Sequence, residues 1–150
     1  MRSYLVVMDE SEEAPAALRY AARRAARTGG GVDILVLMPA AEFSQWGAVQ
    51  AAMEEEARLR AEAMIVQASS AIAEEAGIRP SITVKQGDPV KAVVAFLEER
   101  GDISALVLAA TEGAPGPLIA HFAGAAAGSL PCPLVIVPAG LADDTFERLD

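Results

Sequence analysis

The chain holds a single cysteine, Cys132, and a single histidine, His121, among its 150 residues. No internal disulfide can form, and a reducing, cytoplasmic home is the expectation. One imidazole excludes a His-rich metal site. Aromatics make up only 5% of the chain while hydrophobic residues reach 53%, so the core must be built from Ala, Val, Leu and Ile. No apolar run approaches the roughly 18 to 20 residues that a membrane span requires. The stretch from Met1 to Asp9 is too short, and too soon acidic, to read as a secretory leader. Cations are scarce as well. No Lys or Arg occurs between Arg100 and Arg148, and the net charge of −9 argues against binding a nucleic-acid backbone or an anionic membrane. The sequence also has no G-x-S-x-G elbow, no H-E-x-x-H pair, no Walker A loop and no full dinucleotide fingerprint.

What is present alternates. Ser3 to Met8 is an apolar run that reads as a first strand, broken by the acids from Asp9 to Glu13. Those acids suit a helix amino end, with Ser11 as the expected N-cap and Pro15 in the first turn. Ala14, Leu18, Ala21, Ala22 and Ala25 then form one apolar stripe, ended by Gly29-Gly30-Gly31. Val32 to Met38 is the second strand. After a loop carrying Phe43 and Trp46, a helix is predicted from Ala48 to Ala76, with Met53, Ala57, Met64, Ala68 and Ile72 as its core face. The run Glu54-Glu55-Glu56 with Arg58 and Arg60 reads as a solvated face with i, i+4 pairs.

Ser81 to Lys85 is a third strand, expected at an edge because Pro80 precedes it. The turn Gln86 to Pro89 leads into a helix from Val90 to Glu99. The fourth strand holds Leu106 to Ala110, expected to be buried on both faces. It is followed by a Gly- and Pro-rich loop and an Ala-rich helix over about Leu118 to Ser129. Leu134 to Val137 is the fifth strand. Residues 1–140 read as one domain, and 141–150 as an acidic tail with Phe146 and Leu149 as anchors.

Strands that alternate with helices imply a doubly wound parallel sheet with helices on both faces. The expected strand order is 3-2-1-4-5, which sets the first and fourth strands side by side at the switch point. Asp9 would then meet the loop from Ala109 to Gly116 in one crevice. Candidate ligand contacts there are Asp9, Met38, Pro39, Gly87, Ala109, Glu112, Gly113, Gly116 and His121. Each has a plain structural alternative. Asp9 can cap the first helix, and Gly113 and Gly116 can serve only to turn the chain. His121 can be an ordinary surface residue, while Phe43 and Trp46 can flank a flat ring or merely cover the sheet. Cys132, set between two prolines before a buried strand, reads as a small core residue and not as a nucleophile.

Together these landmarks resemble the universal stress protein family. The residues that carry the resemblance are Val6-Val7-Met8-Asp9 with Ser11, Gly87-Asp88-Pro89, Leu106-Val107-Leu108-Ala109, and Pro131 to Val137. The resemblance implies a cytoplasmic, dimeric α/β domain, in many members with ATP between the ends of the first and fourth strands. Nucleotide-binding members carry Gly, two residues, Gly, nine residues, then Gly with Ser or Thr. Here the first anchor falls on Ala109 and the second on Glu112, and the final pair falls near Ala120-His121. We therefore expect a degenerate phosphate loop and no tightly held cofactor, with ATP binding weak at most. The expected role is a small stress-response or signalling module that binds a ligand or protein, and not an enzyme, slow nucleotide hydrolysis aside. The alternative is an ATP- or AMP-binding stress sensor with an altered loop. A homodimer through the Leu134 to Val137 strand is expected, because four apolar residues on an open edge invite pairing.

Overall fold

A computed structural model describes residues 2–9, 13–38, 47–113 and 115–148. Five parallel strands form one sheet in the order β3-β2-β1-β4-β5, as the alternation of elements implies. They are β1 (Ser3–Met8), β2 (Gly31–Met38), β3 (Ser81–Gln86), β4 (Ile103–Ala110) and β5 (Leu134–Pro138). The connections are α1 (Ala14–Thr28), α2 (Gly47–Ala76), α3 (Pro89–Glu99) and α4 (Gly116–Phe122), and a short α5 (Asp143–Glu147) follows the last strand.

The sheet separates two cores by simple alternation of side chains. Tyr4, Val6 and Met8 of β1, with Ile34, Val36 and Val107, face α1 and α2. Leu5 and Val7, with Leu35, Leu37, Leu106 and Leu108, face α3 and α4. The central strands are closed on both faces, so they read as largely apolar runs, with Asp33 of β2 and Ser104 of β4 as interruptions near their amino ends. Leu106 and Val107 are wholly buried and Leu108 nearly so. The edge strand β3 is the opposite case, with Val84, Lys85 and Gln86 exposed.

Several local details differ from the sequence reading. The N-cap of α1 is Glu13, with no side-chain cap bond; Ser11 lies outside the described residues. The predicted α1 stripe is buried throughout and gains Ala17. Met53 is not a core residue of α2: it is 40% exposed, while Ala61, Met64, Ala68 and Ile72 form the buried face. Leu59 and Val66 lie exposed on α2, so apolar residues occur around much of its circumference and periodicity alone cannot choose the core face. α4 ends at Phe122, not near Ser129. Turns carry the chain through Gly124 to a single 3₁₀ turn at Ala127–Ser129. A side chain at Gly124 would come within 2.5 Å of the Ala120 carbonyl oxygen, so this tight turn depends on glycine.

Beyond β5, Leu141 packs on the core, and Arg23 donates a hydrogen bond at 3.0 Å to the Glu147 carbonyl. The side chain of Phe146, and Leu149 altogether, lie outside the described residues.

Candidate functional site

Because β1 and β4 are neighbours whose following helices leave on opposite faces, their carboxyl ends part and leave a crevice. Asp9, directly after β1, lies on one side of it, and Ala109 near the end of β4 lies on the other. Glu13 and Ala14 at the start of α1, Pro89 at the start of α3, and Pro115, Gly116 and Pro117 at the start of α4 complete the rim. Val7, Leu108 and Leu118 make an apolar floor. The space enclosed is about 100 Å³, below the roughly 300 to 1,000 Å³ usual for small-molecule sites.

Of the nine residues expected at the site, Asp9, Ala109 and Gly116 meet in this crevice. Glu112 and Gly113 lie exposed on the loop beyond β4 and are not among its described lining residues. Gly113 and Gly116 have φ of +95° and +80°, and a side chain at either would touch nothing within 4 Å. Backbone conformation therefore accounts for glycine at both positions. Met38 and Gly87 are joined to one another, with the Gly87 N–H donating to the Met38 carbonyl at 3.3 Å, at the ends of β2 and β3. Pro39, like Phe43 and Trp46, lies outside the described residues. His121 lines a different cavity of about 530 Å³ between α3 and α4, with Val94, Leu97 and Leu130, and meets Phe122 edge-on at 4.9 Å between ring centroids.

The sequence reading did not single out Glu13 as a rim residue. An acid in the first turn of a helix is ordinarily explained by the helix dipole, and only the chain reversal after β1 brings it to the crevice. The described lining has two carboxylates and no Lys or Arg. Cys132 is partly buried beside the α3 and α4 core, and burial pushes its thiol pKa up.

A second polar cluster lies at the opposite ends of the strands. Asp33, only 4% exposed, accepts hydrogen bonds from the two terminal guanidinium nitrogens of Arg100 at 3.0 and 3.1 Å and a short hydrogen bond from the Ser3 hydroxyl. Arg100 also holds Asp102 at 3.0 and 3.2 Å. These bonds, led by the one to Asp102, raise the Arg100 pKa further above its ordinary value, and Arg100 in turn lowers that of Asp102. Every buried side-chain nitrogen and oxygen among the described residues is hydrogen-bonded. With its buried donors and acceptors satisfied, this cluster ties β1, β2 and the end of α3 together.

The fold is that of a doubly wound α/β domain with its switch point between β1 and β4, the place where open α/β sheets generally take their ligands. The family model for the universal stress protein family matches residues 1–138, and the chain belongs to that family. Solved structures agree in fold. A universal stress protein from Lactobacillus plantarum is 19% identical with a TM-score of 0.69, over 91% of this chain and 97% of that one. One from Archaeoglobus fulgidus, in complex with dAMP, is 20% identical with a TM-score of 0.58, over 91% and 97%. A family protein from Arabidopsis thaliana with AMP bound is 13% identical with a TM-score of 0.55, over 97% and 95%. Among curated proteins, none matches the sequence. Among the described residues, no helix is long and apolar enough to cross a membrane.

Proposed function

We propose that this universal stress protein is a cytoplasmic module that acts by binding a small ligand or a protein partner, without turnover, and that its phosphate site is degenerate. The observation that carries the reading is the composition of the crevice. Asp9 and Glu13 contribute carboxylates, no basic side chain is among the described lining residues, and the enclosed space is about 100 Å³. Backbone donors are depleted too. Pro115 and Pro117 flank Gly116 at the start of α4, and neither has an N–H to offer a phosphate. At seven residues, α4 is also a short source of dipole. The amino end of α1 already carries Glu13 as its N-cap.

A carboxylate about 4 Å from a phosphate charge costs roughly 4 kcal/mol at an effective dielectric of 20, and about 1.4 kcal/mol already means tenfold in affinity. ATP should therefore bind near millimolar, on the order of −4 kcal/mol. Titration calorimetry tests this. The expected result is that ATP binds no more tightly than adenosine, and that Glu13→Gln narrows or reverses the difference.

A second reading, an ATP- or AMP-binding stress sensor, is favoured by the relatives solved with dAMP and AMP. Micromolar ATP binding by the unmodified protein would establish it and overturn the first. We further propose that the protein assembles as a homodimer through β5, an edge strand on which Ile136 is 40% exposed.

A further inference from the structure

We infer that a second ligand site, specific for a small phosphate monoester, lies at the amino ends of the strands, at the opposite end of the sheet from the Asp9 crevice. A cavity of about 430 Å³ opens there between α1 and the starts of β1, β4 and β5. Its polar lining consists of Arg2, Arg24, Tyr4, Tyr20 and Ser104, with no carboxylate among them. Pro133 and Val135 of β5 supply an apolar side.

Of the four cavities described, this is the one lined by cationic side chains with no carboxylate: Lys85 and Lys91 share theirs with Asp88 and Glu99, and the other two hold Glu98 or Asp9 and Glu13. The protein carries 21 acids against 12 bases. Arg58, Arg60, Arg100 and Arg148 each hold a neighbouring Glu or Asp. Among the described residues, neither Arg2 nor Arg24 has an ion-pair partner. The nearby acid Asp33 gives no competition: its register on β2 turns it to the other face of the sheet, where Arg100 engages both its oxygens. Two arginines that form no ion pair among the described residues thus line one cavity of an anionic protein, together with Tyr20 and Ser104.

The chemistry of the lining selects the ligand. Guanidinium forks match the oxygens of phosphate and carboxylate, and two forks with two hydroxyl donors suit a group bearing three charged oxygens. The Tyr4 and Tyr20 rings and Val135 give an organic substituent a surface to lie on. The volume is that of a small-molecule site. The carboxyl end of α1 lies a turn beyond Arg24 and works against an anion, so affinity must rest on the guanidinium pair.

The test is a titration of the full chain, labelled at arginine Nε, with phenyl phosphate at constant ionic strength; benzyl alcohol and inorganic phosphate serve as comparison probes. The Nε–H signals of Arg2 and Arg24 should shift together and saturate, while those of Arg58 and Arg148 stay in place. Affinity should fall as pH drops through about 6, where a phosphate monoester loses its second charge. Arg24→Gln and Arg2→Gln, each with an unchanged urea midpoint, should each weaken binding at least about tenfold. Shifts that never saturate, that extend equally to Arg58 and Arg148, or that benzyl alcohol reproduces would overturn the proposal.

Discussion

Replacing Arg100 with Met breaks the ion pair to Asp33, the one buried charged side chain among the described residues. The substitution keeps the side chain's reach and its apolar stem but removes a guanidinium that bonds both oxygens of Asp33 and lies 5.5 Å from the Phe96 ring centre. Asp33 stays behind, 4% exposed, with the Ser3 hydroxyl as its remaining partner. Breaking a buried ion pair from one side costs roughly 3 to 5 kcal/mol, because the abandoned charge is no longer compensated. The Arg100 side chain is 37% exposed, so water can enter the vacated space. The cost should fall to about 2 to 3 kcal/mol, a substantial part of a typical stability of roughly 5 to 15 kcal/mol. Asp33→Asn removes the stranded charge, so the double variant should recover much of the loss. Urea unfolding of the wild type, both single variants and the double variant gives the coupling energy directly, provided the denaturant slope is unchanged. A loss below about 0.5 kcal/mol for Arg100→Met, or a coupling energy near zero, would show that the cluster is an ordinary surface pair.

Three further outcomes follow from the same structure. Leu106→Ala opens a cavity in the α3 and α4 core at a wholly buried position and should cost roughly 2 to 5 kcal/mol in denaturant titration. Ile136→Lys puts a charge on the exposed edge of β5, so the variant should sediment as a monomer or aggregate; a wild type that is itself monomeric at micromolar concentration would refute the proposed dimer. The Cys132 thiol, its pKa raised by burial, should react with an aromatic disulfide at pH 8 more slowly in the native protein than in urea, and its rate should climb only at more alkaline pH.

Most of the fold was legible because the physics that forms it is local or nearly so. A strand covered on both faces has no polar positions to spare, which is why β1, β2 and β4 could be read as apolar runs. Legibility failed where two explanations share one pattern. The helix α2 has apolar residues on its exposed side as well as its buried one, so Met53 was indistinguishable from Met64 until the packing was seen. The region after Phe122 is rich in Ala, the best helix former, yet Gly124 and the lack of large apolar anchors let it leave the helix.

The site divides along the same line. Strand order alone brings Asp9 and Ala109 together, so topology made them readable. Glu13 was hidden by a sufficient local explanation. Arg100 and Asp33 were hidden because 67 residues separate them and an acid inside an apolar strand has no local pattern to announce its partner. Family membership therefore locates the crevice without deciding what fills it. That depends on side chains such as Glu13 and Pro117, which can change while the parallel pairing of β1 and β4 stays as it is.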